Sequence, residues 1–395
     1  MNEKKRVLLT VSIYHALNDG TIAAIPILFP VFKEFYNLSY TQVGIITGTS
    51  LLVHLIAQLL IGHYSDGKNS RTILTLGILL ISLSMLLLTQ TIGFITLLLF
   101  LIFQRFSASF FHPIGVGWVS RTFKKFKLDW AMGIQSGSAD VGAFIAILTT
   151  LYLTEIKDFE FPLYLWAIAG SITVLLGLYI TKDIDEKHLT VKILKNEKSL
   201  KDALINGLKI LKKIKLLIPA FMISGSAWGV IITYLPLLLD EKTALSLTQI
   251  GIIVAIWIGI GSIASFCYGR IQNIVGRRNV IILSYLTIGI TCILLSYFTN
   301  IIIIVIIMIL LGITVFITYP TLFSFVSEIT DKKTEGWTFG IVFTMQLGGG
   351  ILLLFLGGFF SDIFGIWIPF MMLGLLSMVL AILLIINYRK PIVIR

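Results

Sequence analysis

Apolar residues run along this chain in stretches of about twenty, and polar residues gather in the short breaks between them. A helix of about twenty residues spans the ~30 Å hydrocarbon core of a bilayer. Only structures that close their own backbone hydrogen bonds survive in lipid, so the stretches are predicted to be helices. Twelve are predicted, at 7–32, 42–64, 72–90, 94–119, 131–154, 162–181, 216–239, 248–270, 280–298, 301–326, 337–360 and 366–388. The first is too long for a removable leader and lacks a small-residue cleavage site, so it is predicted as the first span.

The pattern repeats itself. Leu38-Ser39-Tyr40-Thr41-Gln42-Val43-Gly44-Ile45-Ile46 returns 207 residues later as Leu245-Ser246-Leu247-Thr248-Gln249-Ile250-Gly251-Ile252-Ile253. The same shift carries Gly62 onto Gly269, Arg71 onto Arg278, Pro113 onto Pro320 and Gly142 onto Gly349. The chain is therefore predicted to be two copies of one hydrophobic unit. Residues 1–181 form an N-terminal six-helix bundle, 182–215 a linker and 216–395 a C-terminal six-helix bundle. Parallel repeats of this kind build many secondary transporters, with substrate held near the bilayer midplane.

Composition sharpens the picture. The chain is 57% hydrophobic and 13% charged, too little polar surface for a soluble protein of 395 residues. With an even number of spans both termini share one side. If that side is the cytoplasm, 27 of the 31 lysines and arginines face inward, and Lys33, Lys157 and Lys242 face outward. That asymmetry predicts both termini in the cytoplasm of a cell membrane. The net charge of +11 then faces anionic lipid, and no nucleic-acid partner is implied. Cys267 and Cys292 fall inside spans and read as packing residues.

The linker is lysine-rich. From Ser199, with Asp202 as its capping partner, leucines and lysines separate onto different faces, which predicts a helix lying on the membrane surface. No phosphate-binding Gly-x-x-x-x-Gly-Lys-Ser/Thr segment occurs, so energy for transport would come from a gradient. No nucleophile–base pair and no metal-ligand constellation is legible, so neither an enzyme nor a cofactor is expected. The partners expected are a small-molecule substrate, protons and lipid, with the chain acting as a monomer.

Between spans two and three lies Gly62-His63-Tyr64-Ser65-Asp66-Gly67-Lys68-Asn69-Ser70-Arg71, and the repeat places Gly269-Arg270-Ile271-Gln272-Asn273-Ile274-Val275-Gly276-Arg277-Arg278 at the equivalent turn. These loops resemble the cytoplasmic signature of the major facilitator superfamily. Asn69 stands where that signature has glycine, Gly67 where it has a cation, and Asn273 where it has an acid. The resemblance implies a gate formed by Gly62, Asp66, Arg71, Gly276, Arg277 and Arg278. Physically, Gly62 would let two helices approach closely, and Asp66 would pair with a cation as a latch; a solvated aspartate in a positive loop is the plainer reading. His15-Ala16-Leu17-Asn18-Asp19, Phe111-His112-Pro113, Leu38-Ser39, Gln42-Val43-Gly44, Gln58 and Gly62 further resemble the fosmidomycin-resistance-type branch. That branch implies proton-driven export. Arg105 and Asp140 are not features of it.

A charge in mid-bilayer is costly, so it normally faces a cavity or a partner. The first copy carries His15, Asp19, His54, Arg105, His112 and Asp140 inside spans. The second has Met222, Ser226, Gly261, Gly312, Tyr319 and Leu347 at those places. His15 and Asp19, four apart, share one helix face. They are read as the proton-coupling pair, with Arg105 expected to interact with Asp19 directly or through water. Arg105, His112, Tyr319, His54, Asp140 and Trp228 are read as substrate-binding candidates. For His15 and His112 a satisfied packing histidine is an equal reading; for His54 a hydrogen bond to a neighbouring helix, and for Asp140 a pairing at the domain interface, is the favoured one. Pro113 and Pro320 are expected to bend spans four and ten.

The sequence thus predicts an all-α membrane protein of twelve helices. Its expected function is proton-coupled transport of a small organic molecule, with export favoured. Uptake of an organic anion or metabolite is the runner-up, and a non-transport sensor or scaffold is the alternative of another class.

Overall fold

A computed structural model of the protein describes residues 2–65, 69–124, 126–184, 217–329 and 335–387, together with Lys212 and Lys215. The predicted linker helix and Asp66 lie outside the described residues. Twelve helices are long and apolar enough to cross a membrane. They are α1 (Glu3–Phe35), α2 (Tyr40–Gly62), α3 (Ser70–Leu88), α4 (Phe94–Thr122), α5 (Trp130–Ile156), α6 (Glu160–Ile180), α7 (Ile218–Lys242), α8 (Leu247–Val275), α9 (Arg277–Tyr297), α10 (Ile301–Val326), α11 (Ile341–Phe364) and α12 (Ile368–Ile386). The repeat survives folding: α2 and α8, α3 and α9, and α4 and α10 each begin 207 residues apart. Leucine, isoleucine and phenylalanine are prominent among the exposed side chains, a surface suited to lipid rather than water.

The helix ends follow from local chemistry. The repeated Leu-Ser-x-Thr-Gln segment is a reciprocal cap. The Ser39 N–H donates to Gln42 Oε1 at 2.9 Å and the Gln42 N–H to Ser39 Oγ at 3.1 Å. Ser246 and Gln249 repeat both bonds at 3.0 and 3.4 Å. Such pairs satisfy amide groups that a helix start leaves open. Asn69 also has a role: its Oδ1 accepts from the Thr72 N–H at 2.9 Å and caps α3. Its repeat equivalent Gly276 instead takes φ +80° before α9. The two copies solve the same turn differently, one with a side chain and one with a left-handed glycine.

Proline acts unequally. Pro26 opens a 3-10 turn, Pro26–Leu28, that divides α1. Pro113 sits in a π-helical segment, His112–Val116, so α4 is interrupted there. Pro320 lies inside an unbroken helix, Ile301–Ile329. The bend expected from Pro320 is therefore not a break, whereas Pro113, lacking an N–H, shifts the hydrogen-bond register.

Contacts divide the chain into two units: Met1–Leu38, Ile45–Lys195 and Leu245–Ala255, and Ser39–Gly44, Asn196–Ala244 and Ile256–Arg395. Within the first, α1 packs on α5, and α3 on α6 and α4. Within the second, α7 packs on α11, and α9 on α12 and α10. Glycine makes the tightest of these seams. A Cβ added at Gly142 would lie 2.0 Å from the Ala16 carbonyl oxygen, and one at Gly349 would lie 2.2 Å from that of Met222. Backbone therefore meets backbone at equivalent points of both copies. Val7, Val11, Tyr14, Ile78, Phe111 and Trp118 belong to the buried core of the first unit. Cys292 is buried, but Cys267 is exposed and does not pack inside as expected.

Two short helix heads are held by carboxylates at repeat-equivalent positions. In the second unit Asp362 accepts from the Tyr40 and Thr41 N–H groups, each at 2.8 Å. In the first, Glu155 accepts from the Thr248 N–H at 2.7 Å. A carboxylate at a helix start meets both open donors and the positive end of the dipole.

Candidate functional site

The first unit gathers a polar cluster from four helices. His15, Asn18 and Asp19 come from α1, His54 from α2, Arg105, Phe111 and His112 from α4, and Gln135 from α5. His15 is 5% exposed. Its Nδ1 lies 2.8 Å from the Gln135 carbonyl oxygen. A carbonyl can only accept, so Nδ1 carries a hydrogen and donates it. Phe111 stacks on the imidazole with ring centroids 4.3 Å apart, fixing its plane. His15 Nε2 then points at Asp19 Oδ2, 3.5 Å away, as a spacing of four residues on one face requires.

Asp19 is the centre of the cluster. Its Oδ1 accepts from Asn18 Nδ2 at 2.8 Å and lies 3.9 Å from His112 Nε2. His112 is the first residue of the π-helical segment of α4. Its ring is edge-on to His15 at 5.3 Å and to His54 at 6.4 Å. Asp19 therefore stands between two imidazoles.

Other candidates fall as follows. His54 Nδ1 donates to the Arg105 carbonyl at 3.0 Å, the inter-helix bond that was its favoured reading. Arg105 is half-buried, and its Nη2 reaches the Ile22 carbonyl at 3.5 Å. Among the described residues it makes no ion pair with Asp19 within 4.0 Å, so of the interaction expected directly or through water the direct form is not present, and the groups that reach Asp19 at 3.5 and 3.9 Å are the two histidines. Asp140 is half-buried on α5. In the second unit Trp228 packs against Trp257 and Phe316, with centroids 5.0 and 5.4 Å away. Tyr319 is half-buried beside Pro320. Met222 and Ser226 occupy the places of His15 and Asp19, and Ser226 Oγ simply donates to the Met222 carbonyl.

The loop residues have local partners. A Cβ at Gly62 would meet Pro113 at 3.3 Å, so this glycine does bring α2 close to α4. Arg71 donates from Nη2 to the Leu178 carbonyl at 3.0 Å and from Nη1 to the Lys182 carbonyl at 3.4 Å. It thereby ties the start of α3 to the end of α6, where a cation complements the helix dipole. Arg277 lies over the Phe325 ring at 5.6 Å and donates to Gln272. Arg278 follows it in the first turn of α9.

Sequence reading missed the positions that orient the cluster: Asn18, Phe111 and the Gln135 carbonyl as partners of Asp19 and His15. The first two stood within quoted segments, but neighbours in sequence gave no sign of their contacts. It also missed a metal-ligand constellation. His15, Asp19 and His112 each offer a ligand atom, and the three atoms lie within 4.8 Å of one another. The expectation that no such set exists is corrected: His112 of α4 stands 93 residues beyond Asp19 of α1, a proximity only the packing creates.

Twelve membrane-length helices with a helix repeat of 207 residues and a partly buried ionisable cluster in the first unit define an all-helical membrane fold. The family model described as Major Facilitator Superfamily matches residues 11–242 and 217–393, and the chain belongs to that family. A Bacillus subtilis (strain 168) protein described as the uncharacterized MFS-type transporter YfnC is 29% identical over 179 residues, which is 45% of this chain and 42% of that relative. The alignment therefore spans less than half of that relative's length. Among solved structures, a bacterial homolog of the human lysosomal transporter Spinster, inward-facing and occupied, superposes with a TM-score of 0.83 at 14% identity, covering 98% of this chain and 97% of that one. A mutant form of the nucleoside transporter NupG gives 0.81 at 14% identity, covering 97% and 100%. A POT family transporter in complex with 5-aminolevulinic acid gives 0.76 at 14%, covering 97% and 96%. These establish the twelve-helix fold of a multi-pass membrane protein of that family.

Proposed function

We propose that this protein is a transporter that couples proton movement to the export of a small organic molecule across the cell membrane, by alternating access, with both termini in the cytoplasm. The observation that carries the reading is Asp19 held between His15 and His112 inside a membrane-spanning unit. A carboxylate flanked by two imidazoles can take up and pass a proton where water is scarce, and histidine titrates near neutral pH. Export follows from the resemblance to the fosmidomycin-resistance-type branch, which the His15–Asp19 and Phe111–Pro113 segments support. The family does not otherwise name a substrate. An anionic or zwitterionic one suits the cluster, because Arg105 presents a planar, permanently charged fork to carboxylates, phosphates or phosphonates.

The test is flux in proteoliposomes with an imposed pH gradient. Asp19→Asn, which keeps shape but removes the titrating acid, is expected to abolish gradient-driven accumulation while leaving the protein inserted and folded. Accumulation at the wild-type rate in that variant would remove Asp19 as the coupling acid.

A further inference from the structure

We propose that His15, Asp19 and His112 form a binding site for a divalent first-row transition-metal ion of the Zn2+ and Co2+ kind. The donor atoms are already assembled. His15 Nε2 and His112 Nε2 lie 3.5 and 3.9 Å from separate oxygens of Asp19. In a tetrahedral site with bonds of about 2.0–2.1 Å, ligand atoms stand ~3.3 Å apart. The set is looser than that, by tenths of an ångström at each Asp19 contact and by up to about 1.5 Å across the whole set, whose atoms lie within 4.8 Å of one another; since Phe111 holds the His15 ring, a swing of the part-exposed His112 would close it. A proton shared between His15 and Asp19 would draw nitrogen and oxygen to about 2.7–2.9 Å. The 3.5 Å between His15 and Asp19 is closer to the spacing of two atoms on one metal.

The surroundings fit an ion as well. His15 Nδ1 donates its hydrogen to the Gln135 carbonyl, which in the neutral ring leaves a lone pair on Nε2. That nitrogen is buried and has no hydrogen-bond partner, yet it faces a carboxylate. Two electron-rich atoms so placed call for a cation between them. A metal-bound histidine almost always donates its other N–H in this way, and ligating carboxylates are themselves hydrogen-bonded, as Asn18 bonds Asp19 here. His112 and Asp19 keep side-chain exposures of 36% and 27%, so a fourth position is open to water or an anion. Two imidazoles with one carboxylate favour zinc-like ions over calcium or magnesium, which take oxygen ligands. Arg105 and His54 are the other basic groups of the cluster. The permanent charge of Arg105 opposes a dication and favours an anion as its fourth ligand.

The site stands apart from the transport reading, because binding is an equilibrium property. Only its consequence, that a seated ion holds Asp19 away from protons and blocks flux, rests on that reading. The experiment uses the untagged full chain in detergent, titrated with Co2+ and followed by ligand-field absorption in the visible. One equivalent of four-coordinate Co2+, displaced by Zn2+, is expected. His15→Ala and His112→Ala should each weaken binding at least tenfold, while His63→Ala and His188→Ala should not. Elution volume and thermal melting check folding, and the part-exposed His112 provides the test if the His15 variant fails to fold. Absence of a four-coordinate spectrum in excess Co2+, or binding lost with His63 or His188 but kept in His112→Ala, would overturn the site. If Co2+ binds as expected but no pH gradient drives flux, the transport reading fails and the metal site stands.

Discussion

Gly142→Ala adds one methyl group to the seam between α1 and α5. The new carbon would lie 2.0 Å from the Ala16 carbonyl oxygen and 2.5 Å from its carbon. Comfortable separations are about 3.5 Å, so the two backbones must part by roughly 1–1.5 Å. Neither atom is a side chain that can swing away. Overpacking of this kind costs about 1–3 kcal/mol. The gain from replacing a helical glycine offsets about 0.5–1 kcal/mol of it. The same displacement stretches the bond from His15 to the Gln135 carbonyl, 2.8 Å long and two turns away on the same seam. At about 3.8 Å it would no longer be a hydrogen bond, a further loss of ~1 kcal/mol. The net expectation is a destabilisation of about 1–3 kcal/mol and release of the His15 ring. Gly133→Ala, on the same helix, is the internal control, since a Cβ there meets nothing within 4 Å beyond that helix's own backbone. It should be neutral or slightly stabilising. Thermal melting of both purified variants reads the difference, and flux reads the effect on the cluster. A Gly142→Ala protein as stable as Gly133→Ala would refute the close-seam argument.

Other outcomes follow from single contacts. Arg105→Lys keeps the charge but loses the planar fork, and should weaken binding of an anionic substrate about tenfold, or ~1.4 kcal/mol, in a titration; unchanged affinity would show that the ligand does not meet Arg105. Asp66→Ala should slow turnover more than it changes affinity, read as a drop in maximal flux at constant half-saturation; an unchanged rate at normal expression would remove the latch. Asn69→Ala removes the cap on Thr72 and should cost about 1 kcal/mol of stability by thermal melting, with Asn69→Asp close to wild type; equal losses in both would show that capping is not its role.

Much of the architecture was written in one dimension. Span length follows from bilayer thickness, and apolar runs of the right length showed twelve helices. An exact-length shift of 207 residues showed the duplication, and three pairs of helices begin that far apart in the folded chain. The buried ionisable residues of the first copy were also visible, because charge inside an apolar run stands out against its background. The helix ends were partly legible: the Ser-x-x-Gln segments bond within one turn, so their chemistry is local.

What tertiary structure decided was which of those groups meet. Arg105 was expected to meet Asp19 directly or through water; its guanidinium reaches the Ile22 carbonyl, while His112, the first residue of the π-helical segment, lies 3.9 Å from that carboxylate. Gln135 contributes a backbone carbonyl, a group every residue has, so no side-chain pattern could reveal it. Gly142 declared only that it was small; that α1 presses on it follows from the packing of two helices more than a hundred residues apart. Sequence determines which groups must be buried and which helices can form, because those depend on composition and short periods. The partner of each buried group depends on helix rotation and seam distance, which arise only when the helices pack.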